Sequence, residues 1–136
     1  MKKAILALAA AWLSSPLFAQ SPPVSLKGHD PVAYFTEGRP VKGAAGITYD
    51  YDDARYLFSS QKNRERFTTS PERYTPQYTG LCATGMALGV KAEADPSVWK
   101  IVDGKLYVFS SPGAREKFEQ DASLVAKGQQ NWRQQK

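Results

Sequence analysis

The stretch YDDARYLFSSQKNRERF (Tyr51–Phe67) returns further along the chain as VDGKLYVFSSPGAREKF (Val102–Phe118). A shift of 51 positions lays Tyr51–Ser70 on Val102–Asp121 without a gap. Asp52, Tyr56, Phe58, Ser59, Ser60, Arg64, Glu65 and Phe67 then meet Asp103, Tyr107, Phe109, Ser110, Ser111, Arg115, Glu116 and Phe118, which makes 8 identities in 20 positions. Each copy reads as turn, strand and Ser-capped helix. Asp103-Gly104 is a two-residue hairpin turn, because both residue types tolerate positive φ. Asp52-Asp53 holds the same place in the first copy. Ser60 and Ser111 stand where a hydroxyl accepts from a free helical N–H, and Pro112 suits a first helical position. A unit of about twenty residues cannot bury its own apolar face, so two copies must pack together or on one shared sheet.

Working outward, Ile47–Tyr51 with Arg55–Ser59, and Val98–Val102 with Lys105–Phe109, predict two hairpins rich in aromatic and β-branched residues. Helices follow at about Gln61–Thr69 and from Pro112 to about Gln120. Upstream, Asp30 as N-cap and Pro31 as first helical residue predict a short helix, Pro31–Thr36. Gly38–Gly46 reads as a loop and Pro71–Tyr78 as an aromatic connection. Gly80–Gly89 is small and apolar, and predicts a short buried helix. Leu124, Val125 and Trp132 lie on a last polar helix. With no strand–helix–strand alternation, the expected class is α+β: two β-hairpin–helix units forming a small antiparallel sheet covered by helices.

Residues 1–19 read as a signal peptide. Met1-Lys2-Lys3 is a basic start, Ala4–Leu13 is apolar, and Ala19 is a small residue suited to cleavage. The apolar run is too short to span a bilayer. The expected address is the periplasm, with no membrane association after cleavage. Residues 20–27, with Pro22-Pro23, form a flexible lead-in, and residues 28–136 form one domain that is expected to be monomeric. Removing Lys2 and Lys3 leaves 16 Lys and Arg against 13 Asp and Glu, interleaved as in Arg64-Glu65-Arg66. That is a solvated helix face rather than a basic stripe, which argues against a nucleic-acid partner.

Gly28-His29-Asp30-Pro31-Val32-Ala33-Tyr34-Phe35, Tyr56-Leu57-Phe58-Ser59-Ser60, Ser70-Pro71-Glu72-Arg73-Tyr74 and Gly80-Leu81-Cys82-Ala83 together resemble the YHS domain family, most closely its exported single-domain branch. The likeness runs from about Gly28 to Trp132. It implies a small metal-associated module, like the related TRASH domains. The family's metal cysteines occur as Asp-Pro-x-Cys and Phe-Cys-Ser-x-x-Cys. Here those positions are Ala33, Ser59 and Asn63, so the usual thiolate site is absent. Some relatives of this branch carry selenocysteine, and a match at Cys82 would imply a reactive rather than a structural sulfur.

Cys82 is the only cysteine, so there is no internal disulfide. Met86 lies four residues on, the spacing of one helical face, and His29 is the only histidine. Thiolate, thioether and imidazole form a soft set that suits copper(I), so Cys82, Met86 and His29 are the candidate metal ligands. Against this, Cys and Met are common core residues, and a histidine beside an N-cap can simply decorate a helix start. Gly-x-Ser-x-Gly, Walker and paired-histidine motifs are all missing. The expected role is therefore non-enzymatic: an exported module binding a soft metal ion, copper first, at a site centred on Cys82. Two alternatives stay open, a thiol-dependent redox protein using Cys82 and a protein-interaction module without a metal.

Overall fold

The computed structural model describes Ala4, Ala11, Trp12 and residues 20–136. Apart from those first three residues, the segment read as a signal peptide lies outside the described residues. The element order is α1 (Ala33–Thr36), β1 (Ala44–Tyr51), β2 (Ala54–Phe58), α2 (Gln61–Thr69), α3 (Pro71–Tyr74), α4 (Ala83–Ala87), β3 (Asp95–Val102), β4 (Lys105–Phe109), α5 (Pro112–Gln120) and α6 (Ser123–Gln135).

The repeat holds in three dimensions. β1 pairs antiparallel with β2 and β3 with β4, and the register shift falls at Ala44/Thr48 in one hairpin and at Asp95/Trp99 in the other, 51 positions apart. Asp52, Asp53, Asp103 and Gly104 all have positive φ, as a two-residue hairpin turn requires. Ser60 Oγ accepts from Asn63 N and Ser111 Oγ from Ala114 N, both at 3.1 Å, so each helix has its predicted cap. Phe67 and Phe118 are both buried. Each ring packs on the two aromatics of its own second strand, Tyr56 and Phe58 or Tyr107 and Phe109.

The correspondence also reaches upstream of the recognisable stretch. Ser25–Gly28 and Gln77–Gly80 are tight turns in which Leu26, Lys27 and Gly28, and likewise Tyr78, Thr79 and Gly80, are left-handed. Non-glycine residues adopt that conformation at a cost of about 1–2 kcal/mol each. After each turn the chain makes the same contacts. His29 N bonds Leu26 O and Leu81 N bonds Tyr78 O; Asp30 N bonds Val41 O and Cys82 N bonds Ala92 O. His29 bridges Lys42 and Leu81 bridges Glu93. One extra residue between Asp30 and Val41 turns the 51-residue shift into 52 here, so Asp30 and Cys82 occupy equivalent places.

The α+β class holds, but the four strands form two separate two-stranded sheets. The edges explain why they do not merge. The outer side of β2 is taken by Val24, with Arg55 N bonded to Pro23 O, and the outer side of β4 is taken by Cys82, which bridges Val108. A strand whose edge is already paired has no row of free groups to offer a neighbour. The halves join elsewhere. Ser25 Oγ donates to Thr79 O at 2.8 Å across the two turns. Gly80 has φ +88°, and a Cβ there would lie 2.8 Å from Ser25 Oγ, so only glycine fits. Tyr34 Oη donates to Pro96 O at 2.7 Å and its ring meets Trp99 edge-on. Burial and the nearby Asp95 carboxylate push this phenol above its ordinary pKa, which keeps it a donor.

Because the two halves bury equivalent phenylalanines, Phe67→Ala and Phe118→Ala should each cost about 3–5 kcal/mol of stability. Denaturant unfolding measures this, and a loss confined to one variant would show that the repeat does not carry equivalent packing.

Candidate functional site

Asp30 is the one buried carboxylate among the described residues, with no exposed surface. A carboxylate offers about four lone-pair positions, and here four donors meet it. Oδ1 accepts from Val32 N at 2.8 Å. Oδ2 accepts from Ser59 N, Ser59 Oγ and Asn63 Nδ2, each at 2.8 Å. The amide of Asn63 is oriented from its other side by Arg66 Nη1, which donates to Asn63 Oδ1 at 3.2 Å. Asp30 therefore fastens the entrance of α1 to the end of β2 and the first turn of α2.

Ser59 and Asn63 are two of the positions where the resemblance places metal cysteines, and they do come together, with Asn63 Nδ2 3.4 Å from Ser59 Oγ. The third, Ala33, is wholly buried in α1. These residues do not fit a metal. None supplies thiolate, and the carboxylate beside them is already engaged by four protein donors. No group of three His, Cys, Asp or Glu able to hold a metal occurs among the described residues.

The equivalent place in the second half is built differently. Cys82 is the N-cap of α4, with its Sγ accepting from Gly85 N at 3.5 Å. The thiol also donates to Ser110 Oγ at 3.5 Å, and Ser110 is the counterpart of Ser59. Ala114 stands where Asn63 does and supplies no side-chain donor. Sγ thus has two long, weak contacts where the carboxylate has four short ones. Cys82 is 1% exposed, yet it lines an open cavity of about 400 Å³ together with Thr84, Gly85, Ser110, Ala114 and Lys117. Leu88 and Val90, both largely exposed, complete an apolar rim.

The other two candidate ligands lie differently. Met86 N bonds Cys82 O at 2.9 Å, so the two residues share a turn. The Met86 side chain is fully buried in the second core and is not among the residues lining the cavity. His29 is half-buried in the first half, with Nδ1 2.9 Å from Leu26 O and its backbone bridged to Lys42. It shares no contact with Cys82. The sequence predicts Asp30 only as the cap of a helix starting at Pro31, whereas the helix begins at Ala33 with Val32 as its N-cap residue. Nothing local signals that the main partners of Asp30 lie 29 and 33 residues away.

The family model for the YHS domain matches residues 32–78. This part of the chain is similar to the YHS domain, a family associated with metal binding. The match contains Ser59 and Asn63 and ends before Cys82. No curated protein and no solved structure matches the chain. No helix among the described residues is long and apolar enough to cross a membrane.

Replacing Asp30 by Asn turns one acceptor oxygen into an amino group that faces donors. Asp30→Asn should lose about 2–4 kcal/mol, and Ser59→Ala, which removes one donor of four, about 1 kcal/mol. Urea unfolding of both variants checks this, and an Asp30→Asn protein as stable as the parent would remove the carboxylate from its central place.

Proposed function

We propose that the chain is an exported, non-enzymatic binding module whose ligand site is the Cys82 cavity, with a soft metal ion as ligand and copper(I) as first choice. The observation that carries this reading is the contrast between the two equivalent positions. At Asp30 four protein donors meet the carboxylate, three on Oδ2 and one on Oδ1. At Cys82 the sulfur has two hydrogen bonds of 3.5 Å, and the residue, packed in the second core, lines a cavity. A thiolate is a soft ligand that favours copper(I) and zinc over hard cations. Here it supplies one coordination position. The cavity leaves space for the remaining ligands to come from a small thiol or from the side chain of a protein partner.

The likeness to the YHS domain supports metal association in general, and the sulfur chemistry supports the choice of ion. Met86 and His29 contribute to folding in this reading rather than to the metal shell, since neither lines the cavity. The signal-like residues 1–19 support export, and the mature domain acts as a monomer.

Competition for copper(I) against a chromogenic chelator, with reduced metal-free protein, tests the assignment. Cys82→Ser should weaken binding by more than about 100-fold, a loss at the upper end of what even supporting groups produce. Met86→Leu and His29→Ala should bind as the parent does. Parent-like affinity in Cys82→Ser contradicts the site, and loss in all three variants replaces it with the three-ligand arrangement.

A further inference from the structure

The same turn closes α1 in the first copy and α4 in the second. Glu37 N bonds Ala33 O and Leu88 N bonds Thr84 O, and the next residues, Gly38 and Gly89, are left-handed in both. The residues flanking the glycine are therefore equivalent, Glu37 with Leu88 and Arg39 with Val90. In the first copy they form an exposed ion pair, with Arg39 Nη2 3.3 Å from Glu37 Oε1. In the second they are aliphatic and stand 55% and 56% exposed. The first copy closes this turn with charged residues, so the turn itself does not require aliphatic ones.

Leu88 and Val90 do not stand alone. They border the cavity of about 400 Å³, whose lining continues through Ala92, Gly113 and Ala114. Single exposed apolar residues are ordinary, whereas a continuous apolar face with a polar rim marks an interaction site. Lys117 is the one charged residue of that lining, and it is exposed. Its counterpart Arg66 is engaged with Asn63 Oδ1, while no ion pair among the described residues includes Lys117. The acid one turn further on, Asp121, accepts from Ser123 N and Oγ. Lys91, next to Val90, is exposed too. We propose that this face is a docking surface for a short acidic, apolar segment of a protein partner, which sets aliphatic side chains on Leu88 and Val90 and a carboxylate on Lys117.

Size and charge choose this occupant. Two side chains and an open cavity fall well short of the roughly 800 Å² per partner that a stable dimer buries, so a second copy does not suit the face. A short segment with a few anchors does. With lysine as the only charge in the lining, an acidic segment is attracted and a basic one repelled. The inference needs no metal at Cys82, and its test uses metal-free protein, so it stands or falls apart from the copper reading.

The test titrates isotope-labelled, metal-free protein with a short peptide of glutamate and leucine, and with its lysine and leucine twin, followed by amide NMR. The expected result is saturable shifts in residues 84–92 and 113–117 with the acidic peptide alone, weakened by salt. Leu88→Glu/Val90→Arg installs the ion pair that the first copy already carries. This variant should unfold within about 5 °C of the parent and bind the acidic peptide at least about tenfold more weakly. Lys117→Gln should weaken binding and remove most of its salt dependence. Strong destabilisation of the double variant would show that the aliphatic pair serves folding, and overturns the proposal. Absent shifts, shifts elsewhere, or equal binding of both peptides overturn it as well. So does self-association, or co-sedimentation with phosphatidylglycerol vesicles, that the double variant abolishes, since either assigns the face to a different occupant.

Discussion

The Asp30 carboxylate accepts hydrogen bonds from its neighbour Val32 and from Ser59 and Asn63, 29 and 33 residues on, and the placement of the first half depends on it. Removing a charge from water costs several kcal/mol unless its acceptor sites are filled. Here Val32, Ser59 and Asn63 fill them. The consequence extends past the hub. With α1 fixed at its entrance, Tyr34 reaches Pro96 and Trp99 in the second half, and Phe35 packs against both hydrophobic cores. One buried carboxylate thereby sets the element that joins the two halves.

The duplication explains why two such places exist, and chemical divergence explains why they differ. Hairpin, bulge, capped helix and left-handed turn are retained in both copies because each supports the packing of its own core. Position 30 and position 82 share that frame but not their chemistry. The first is saturated and buried. The second holds a polarizable sulfur with weak contacts, beside a cavity rimmed by exposed Leu88 and Val90. The matched family segment, residues 32–78, includes Ser59 and Asn63 but neither Asp30 nor Cys82. Ser59 and Asn63 serve structure here, and the sulfur of Cys82, buried beside the cavity, lies in the other copy.

Much of the fold was legible because its determinants are local. Asp103-Gly104 and Asp52-Asp53 encode the turns, Ser60 and Ser111 encode the caps, and the aromatic alternation of Tyr56/Phe58 and Tyr107/Phe109 encodes the buried face of each hairpin. The left-handed turns were not legible, since Leu26-Lys27 and Tyr78-Thr79 are not residues that favour positive φ. Only Gly28 and Gly80 hinted at them. The division into two sheets depends on which chain segments cover the strand edges, a tertiary fact. At the site, Cys82 was identifiable as the only cysteine. Its equivalence to Asp30 was hidden by the one-residue difference in the following loop and by the lack of identity between the two positions. The placement of Met86 in the core and of His29 in the first half follows from packing, which ligand type and spacing do not encode.

The central claim is that the second copy presents a sulfur reactive from within the folded state, where the first copy presents a closed hub. The rate of Cys82 alkylation by a small reagent, measured in metal-free protein across sub-denaturing urea concentrations, addresses it most directly. The account predicts a finite rate that stays flat well below the unfolding transition, because the reagent enters through the cavity. A rate that rises with urea in step with global unfolding, and vanishes on extrapolation to native conditions, would show that Cys82 is a sealed core residue and would contradict the account.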